Sequence, residues 1–208
     1  MKLYVWEDER HIQVNEFYVD NMEKFHIFWK DLQEKYMGFT IDFCYHNCPV
    51  PIEYMLKINA VLLESCVETR LTQENFTPVE MYDLTLVTTE NFKKFAKLHD
   101  LANPVSSGMF WTSERIKKDL TRWLIYIYEN NYVLMRMGND ESEFYAIETM
   151  DRSIGEILIS KASKDAFKAG KTGILVMVDD DDLKKLEMYQ GVGFLPCGKY
   201  IAYQSTIR

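Results

Sequence analysis

The chain has 208 residues, 47% of them hydrophobic and 14% aromatic, with a formal net charge of −8. That length and composition suit one or two globular domains of about 100 to 200 residues each. The acidic balance without a basic patch argues against a nucleic-acid partner and favours a cationic ligand. No apolar run reaches the roughly 18 to 20 residues of a membrane span, and the N-terminus turns acidic early, so a cytoplasmic protein with no membrane partner is expected.

Hydrophobic periodicity predicts strands and a helix at the start of the chain. Residues 2–6 and 11–19 alternate apolar and polar side chains around a polar turn, which predicts a strand pair. A helix is predicted from the N-cap residue Asn21 to Gly38, and residues 39–45 predict a further strand.

A second helix is predicted from Pro51 to Cys66, followed by a strand at residues 67–71. Its apolar face consists of Ile52, Met55, Leu56, Asn59, Leu62, Leu63 and Cys66. The next segment, residues 72–79, is polar and contains a proline, which predicts a domain boundary. We therefore expect an N-terminal α/β domain at residues 1–78 and a second domain at residues 79–208.

The second half predicts a longer succession of elements. Its predicted strands are residues 82–87, 124–128, 132–137, 144–149, 174–178 and 198–207, the last as an edge or hairpin strand. Its predicted helices are residues 89–98 capped by Thr89, residues 112–123, the stretch closed by Gly170, and residues 183–189. The apolar run at residues 174–178 is typical of a buried parallel strand.

Residues 143–147 form a predicted strand that begins with a glutamate, residues 153–178 a predicted helix and buried strand, and residues 189–194 run from a tyrosine to a glycine and phenylalanine. Over residues 82–208 these stretches resemble the fourth strand, the central helix with its following strand, and the tyrosine-to-glycine-phenylalanine signature of the GCN5-related N-acetyltransferase (GNAT) family. The resemblance implies a mixed central sheet flanked by helices. It also implies transfer of an acetyl group from acetyl-CoA to a primary amine, either a small cationic amine or a peptide amine.

Residues 1–76 repeat the later order of strand, helix, strand, helix and strand, which suggests a degenerate half-copy of the same domain. No glycine turn precedes its first helix, so this copy is not expected to hold CoA. Alternatively, the first half is an ordinary α/β extension, because any α/β unit repeats in this way. The sequence also leaves a homodimer open.

A turn from a strand into a helix aims backbone N–H groups and the positive end of the helix dipole at one point, where a pyrophosphate can bind. The residues expected to bind acetyl-CoA in this way are Thr149, Met150, Arg152, Ser153, Ile154, Gly155, Glu156 and Ile157. At the spacing of the family's glycine-rich pattern only Gly155 fits, so Arg152 is expected to supply positive charge. The alternatives are an ordinary strand-to-helix turn and a non-catalytic binding or interaction module on the same fold.

The resemblance assigns Tyr189 as the general acid that protonates the leaving thiolate, and Glu143 as the general base. Alternatively, Tyr189 packs its ring in the core and Glu143 is a solvated acid. Glu148 lies five residues after Glu143 and is therefore expected on the opposite face of the strand.

Other candidate sites are weaker. Cys44, His46 and Cys48 lack the spacing of a structural zinc site and can share one strand face, so no metal is expected. The acidic run 179–182 is interpreted as helix capping in preference to a cation site. The acceptor pocket is expected at residues 101–114, where Phe110 and Trp111 either line it or belong to the core.

Overall fold

The computed structural model describes residues 2–15, 17–79, 83–104 and 110–208. Its contacts divide the chain into two compact units, Met1–Glu68 with Gly198–Arg208, and Thr69–Cys197. We call these the first and second units. In the described residues, no helix is both long enough and apolar enough to cross a membrane.

The first unit contains a mixed sheet and two helices. Its elements are β1 (Lys2–Trp6), β2 (His11–Asn15), α1 (Met22–Tyr36), β3 (Thr40–His46), α2 (Ile52–Lys57), most of β4 (Val61–Leu71) and most of β10 (Leu195–Thr206). The strand order is β1-β2-β3-β10-β4. Strands β2 and β3 are parallel, whereas β10 is antiparallel to β3.

Helix α1 packs its apolar side on one face of this sheet. The Asn21 side chain accepts a hydrogen bond from the Lys24 backbone N–H at 3.0 Å and so caps the helix, as predicted. Phe25 and Leu32 are buried together with Ile12 of β2. Alternation along β2 places its apolar residues in this core, and the burial of apolar surface holds helix and sheet together.

The predicted helix from Pro51 to Cys66 is wrong over its second half. Helix α2 ends at Lys57, and strand β4 begins at Val61. Asn59 has a φ of 52°, in the left-handed region that does not continue an α-helix. Sheet pairing in the folded chain thus overrides the helical spacing of the apolar residues. The C-terminal strand was also predicted wrongly as an edge or hairpin strand, because β10 lies between β3 and β4.

The strands of the second unit form a mixed sheet with helices on both faces. Its elements are β5 (Thr85–Leu86), α3 (Phe92–Ala102), α4 (Ser113–Lys118), β6 (Trp123–Tyr128), β7 (Asn131–Met137), β8 (Glu141–Glu148), α5 (Arg152–Lys168), β9 (Gly173–Asp179) and α6 (Leu183–Gly191). The strand order is β9-β8-β7-β6-β5. Neighbours from β5 to β8 are antiparallel, and β8 and β9 are parallel.

Two apolar cores lie on opposite faces of this sheet. One contains Leu158 of α5 and Met188 of α6, and the other contains Phe95 of α3 and Ile116 of α4. The predicted fold class, a mixed sheet flanked by helices, is confirmed. The hairpin between β6 and β7, helix α5 and the buried parallel strand β9 also form where the sequence predicts them.

Several boundaries differ from the predicted ones. The strand predicted at residues 82–87 is only Thr85–Leu86, with Tyr82 outside the described residues. Helix α3 begins at Phe92, so Thr89 does not cap it, and the Asn91 side chain accepts from the Thr88 N–H at 2.7 Å. Helix α4 ends at Lys118, after which a 3₁₀ turn leads into β6.

The polar segment at residues 72–79 belongs to the second unit and packs against the rest of it. The Phe76 ring lies 5.6 Å from that of Phe167 on α5. The Thr77 N–H donates to the carbonyl oxygen of Val192 at 3.0 Å, and the Val79 N–H donates to Ser160 Oγ at 3.1 Å. This segment therefore packs as part of a domain, although its composition is that of a linker.

The first unit has the same succession of elements as the end of the second half. The order β2-α1-β3-α2-β4 matches β8-α5-β9-α6-β10, and in each case the first two strands are parallel neighbours. This agreement is what the half-copy hypothesis requires, and a common origin stays a prediction.

Candidate functional site

The parallel strands β8 and β9 pair over only part of their length. Their described ladder runs from Glu141 beside Gly173 to Phe144 beside Val176, while β8 continues through residues 145–148 and β9 through residues 177–179. Beyond Phe144 the edge of β8 that faces β9 is left without ladder bonds. A gap between two strands exposes backbone donors and acceptors, which an extended ligand can use.

A bulge in β8 decides which side chains face each core. Phe144 pairs with Met135 and Ala146 with Leu134, so Tyr145 is the extra residue. Phe144 and Ile147 consequently share one core, whereas Tyr145 and Ala146 pack against the other.

The bulge brings Glu143 and Glu148 of β8 to the same face. Glu143 is opposite Arg136, which lies over the Trp111 ring, and Glu148 is opposite Tyr132, in the same core as Trp111. The prediction that Glu143 and Glu148 face opposite sides is therefore wrong. An extra residue reverses the alternation on which that prediction depends.

Tyr189, in the last turn of α6, is buried on the opposite face of the sheet from Glu143. Only 2% of its surface is exposed, and its ring centroid lies 5.6 Å from that of Phe144 and 5.2 Å from that of Phe194. Burial raises the pKa of Tyr189, and the charges of Asp182 and Glu148 raise it further. The phenol is therefore protonated at neutral pH. It contacts Phe144, the residue at which the ladder to β9 ends.

Helix α5 begins just after β8, and a carboxylate caps it. Asp151 Oδ1 accepts a hydrogen bond from the Ile154 N–H at 3.1 Å, and the Asp151 carbonyl oxygen accepts from the Gly155 N–H at 2.9 Å. Thr149 Oγ1 in turn accepts from the Asp151 N–H at 3.1 Å. A negative charge thus already occupies the positive end of the helix dipole.

The residues expected to bind acetyl-CoA lie partly at this turn and partly inside the helix. Met150 is 90% exposed, and Arg152 and Ser153 are also exposed. Gly155 and Ile157 are buried, and Ile154 and Glu156 are half-buried. Since α-helical N–H groups from the second turn onward bond within the helix, only the first-turn donors are available to a phosphate.

Arg152 and Gly155 both have roles within the protein. Arg152 Nε lies 2.8 Å from Glu156 Oε1, and Arg152 Nη1 lies 3.1 Å from Glu187 Oε2. A Cβ on Gly155 would lie 2.7 Å from the sulfur of Met188. The glycine thus permits α5 and α6 to approach each other closely, and the arginine holds two carboxylates beside their contact.

A depression of about 410 Å³ lies on the Glu143 face of the second unit. The polar side chains that line it include Glu143, Arg122 and Arg136, and Leu175 of β9 also lines it. Burial, the charge of Glu143 and a hydrogen bond from the Tyr145 hydroxyl to that carboxylate raise the pKa of Tyr145 to about 12. The Glu143 carboxylate therefore accepts a hydrogen bond from Tyr145 and lies beside the guanidinium groups of Arg122 and Arg136.

Trp111 is fixed next to this depression. Its ring centroid lies 5.0 Å from that of Trp123 and 5.9 Å from that of Tyr145, and its carbonyl oxygen lies 2.7 Å from Nε2 of the buried His99. Phe110 is 37% exposed. Of the two aromatic residues expected to line the acceptor pocket, Trp111 belongs to a packed cluster. Part of the segment predicted to form that pocket, residues 105–109, lies outside the described residues.

The remaining candidates have structural roles. Asp182 accepts a hydrogen bond from the Lys185 N–H at 3.0 Å, which confirms capping by the acidic run. Cys44 is buried and accepts a hydrogen bond from the Tyr200 hydroxyl at 3.2 Å, whereas Cys48 is exposed. In the part of the chain that the structure describes, no cluster of three or more His, Cys, Asp or Glu residues could hold a metal ion.

Several solved structures with the same fold are named as acetyltransferases. A GCN5-related N-acetyltransferase from Sphaerobacter thermophilus superposes with a TM-score of 0.71 at 12% identity, over 96% of this chain and 74% of that one. A tandem GNAT protein from the clavulanic acid biosynthesis pathway gives 0.63 at 10% identity, over 96% and 76% of the two chains.

A conserved protein of unknown function from Staphylococcus epidermidis gives a TM-score of 0.67 at 11% identity, over 98% of this chain and 89% of that one. No protein-family model and no curated protein sequence matches this chain. At such low identities the similarity establishes the GNAT fold and leaves activity to be argued from the site.

Two features of this site were not predicted from the sequence. The capping role of Asp151 could have been predicted, because an aspartate directly before a helix is a favourable N-cap. The proximity of Arg122 and Arg136 could not have been predicted from local pattern. Arg122 precedes the first strand of a hairpin and Arg136 lies near the end of the second, so only strand pairing brings them to one depression.

Proposed function

We propose that this protein is an acetyl-CoA-dependent N-acetyltransferase acting on a primary amine. The observation that carries this proposal is the point where β8 and β9 separate. There Tyr189 reaches Phe144 from one face, and Glu143, the neighbouring residue, lies on the other. An acetyl thioester in the gap has an acid on one side and a base on the other.

In the proposed reaction the amine attacks the thioester carbonyl directly. Glu143 accepts the proton that the ammonium group loses, a new C–N bond forms, and the C–S bond of acetyl-CoA breaks. The Tyr189 hydroxyl gives its proton to the departing thiolate, and the resulting phenolate takes the second proton that the amine nitrogen loses on becoming an amide. The raised pKa keeps the phenol protonated until the thiolate forms. Because a thiolate is less basic than a phenolate, the transfer also depends on the phenolate recovering a proton from the amine nitrogen.

The pantetheine arm of acetyl-CoA would lie along the unpaired edge of β8, with its pyrophosphate at the first turn of α5. Thr149, Met150, Arg152 and Ser153 are the residues of that turn proposed to contact it. The exposed first-turn N–H groups fit a phosphate, whereas the Asp151 carboxylate opposes one.

A second candidate function is a non-catalytic binding or interaction module. The observation that favours it is the same cap, since Asp151 places a negative charge where the pyrophosphate would lie and Arg152 is already paired with Glu156 and Glu187. In this case the fold is retained and transfer has been lost.

Acetyl-CoA should raise the melting temperature of the enzyme, because a ligand that binds only the folded state stabilises it by mass action. Replacing Asp151 with asparagine should strengthen acetyl-CoA binding about tenfold. Asparagine caps a helix as well as aspartate does, but it lacks the charge that repels a phosphate. Isothermal titration calorimetry on both proteins measures the change.

The matched control is Asp140→Asn, the same change of charge in the exposed turn before β8. It should leave acetyl-CoA affinity unaltered. If neither the wild type nor Asp151→Asn binds acetyl-CoA at millimolar concentration, the transferase proposal fails and the second candidate stands.

A further inference from the structure

The depression beside Glu143 combines charges of both signs. Its lining includes the carboxylates of Glu141 and Glu143 and the guanidinium groups of Arg122 and Arg136. Glu141 is paired with Arg70, outside the depression, whereas Glu143 lies opposite Arg136 on the neighbouring strand. The net charge of the whole chain favours a cationic ligand, but this cavity offers two cations to an anionic group.

The two arginines are held differently. Arg136 lies 4.9 Å from the centroid of the Trp111 ring, in cation–π contact with it, and its guanidinium also donates a hydrogen bond to the Tyr145 hydroxyl. Arg122 is 62% exposed, and its ion pair with Asp119 Oδ2 at 3.3 Å uses Nε, one of the five N–H donors of the group. Both guanidinium groups can therefore present further donors to a carboxylate, for which their planar fork is well suited.

The depression borders the proposed reaction centre. Glu143 and Leu175, which both line it, are partners in the β8–β9 ladder, one residue before the pair at which that ladder ends. An amine bound at Glu143 is consequently beside the gap between the strands. The volume of about 410 Å³ lies within the range of about 300 to 1,000 Å³ usual for small-molecule sites.

We propose that the acceptor is a small amine that also carries a carboxylate, a free amino acid being the simplest case. Its amino group lies at Glu143, and its carboxylate lies between Arg122 and Arg136. This inference rests on the proposed function, because it takes Glu143 as the base that receives the acceptor's proton. It replaces the cationic acceptor expected from net charge with a zwitterionic one.

Binding without acetyl-CoA tests the ligand class separately from transfer. The standard L-amino acids, each compared with its methyl ester, are titrated into the wild-type protein and followed by thermal shift and calorimetry. At least one free amino acid should bind, and its ester should bind about tenfold more weakly, since the ester cannot accept charged hydrogen bonds from the arginines. Equal binding of acid and ester overturns the inference.

Arg122→Gln provides the residue-level test, because this side chain is exposed and its loss leaves the core intact. It should weaken binding of the amino acid about tenfold and leave binding of the ester unchanged. Lys118→Gln, which removes a cation from the exposed end of α4 outside the depression, should alter neither. An equal loss of affinity for acid and ester would assign Arg122 a structural role and contradict the inference.

The release of free thiol from acetyl-CoA in the presence of the bound amino acid then tests transfer. Binding that depends on Arg122, without thiol release, contradicts the transferase proposal and supports the ligand class. Thiol release with amines that lack a carboxylate, at rates equal to those with amino acids, supports the transferase and overturns the zwitterionic acceptor.

Discussion

Replacing Tyr189 with phenylalanine should lower turnover about 100-fold to 10,000-fold and hardly change the affinity for acetyl-CoA. The substitution removes one hydroxyl and keeps the ring that packs against Phe144 and Phe194. Without this acid, the thiolate of CoA must leave unprotonated or take a proton from water. Steady-state kinetics together with the dissociation constant of acetyl-CoA measure the two effects separately.

Tyr126→Phe is the control for this experiment. Tyr126 belongs to the same apolar core, and its hydroxyl is hydrogen-bonded to Asp165 on α5. Losing this bond should cost about 1 kcal/mol of stability and leave turnover unchanged. If Tyr189→Phe behaves in the same way as Tyr126→Phe, Tyr189 is a core residue and has no role as an acid.

Replacing Gly193 with alanine should destabilise the folded protein by about 3 kcal/mol or more. Gly193 has a φ of 104°, and a Cβ there would lie 1.9 Å from the backbone oxygen of Asn75. The segment at residues 72–79 crosses the end of α6 at this point, so backbone would have to move. The midpoint of urea unfolding, followed by circular dichroism, measures the loss.

Gly170→Ala is the control that separates the cost of the close contact with Asn75 from the cost of backbone strain. Gly170 has a similar φ of 84°, but no atom lies within 4 Å of where its Cβ would be. Its replacement should cost about 1 to 2 kcal/mol, the usual penalty for a side chain in the left-handed region. Equal losses at the two positions would show that the approach of Asn75 does not constrain Gly193.

The elements that the sequence predicted correctly are those in which local pattern and tertiary context agree. Helix α5 has an apolar stripe, a capping aspartate before it and Gly170 after it, and it forms as expected. The incorrect element predictions came where the spacing of apolar residues fits both a helix and a strand. Between Asn59 and Cys66, apolar residues at helical spacing also suit a strand, and pairing in the sheet selected the strand.

The geometry around the site residues depends on contacts between distant parts of the chain. Tyr189 and Glu143 were named from motif positions, and the structure places both beside the point where β8 and β9 separate. The relative orientation of Glu143 and Glu148 was predicted wrongly, because the bulge at Tyr145 depends on the neighbouring strand β7. The ion pairs that engage Arg152 depend in the same way on α6, whose Glu187 lies far along the chain.

The sequence alone determined the fold class, the element order of the second half and the identity of the residues proposed for proton transfer. The element order follows from periodicity, capping and turn chemistry, which act over a few neighbouring residues, whereas the fold class and the two proton-transfer residues come from the resemblance to the GNAT family. Only the tertiary structure decided that Arg122 and Arg136 share a depression with Glu143. It also decided that the Asp151 carboxylate lies at the positive end of the α5 dipole, and that the C-terminal strand joins the first unit. Each of these depends on the burial, pairing or spacing of groups brought together by folding, which no local pattern records.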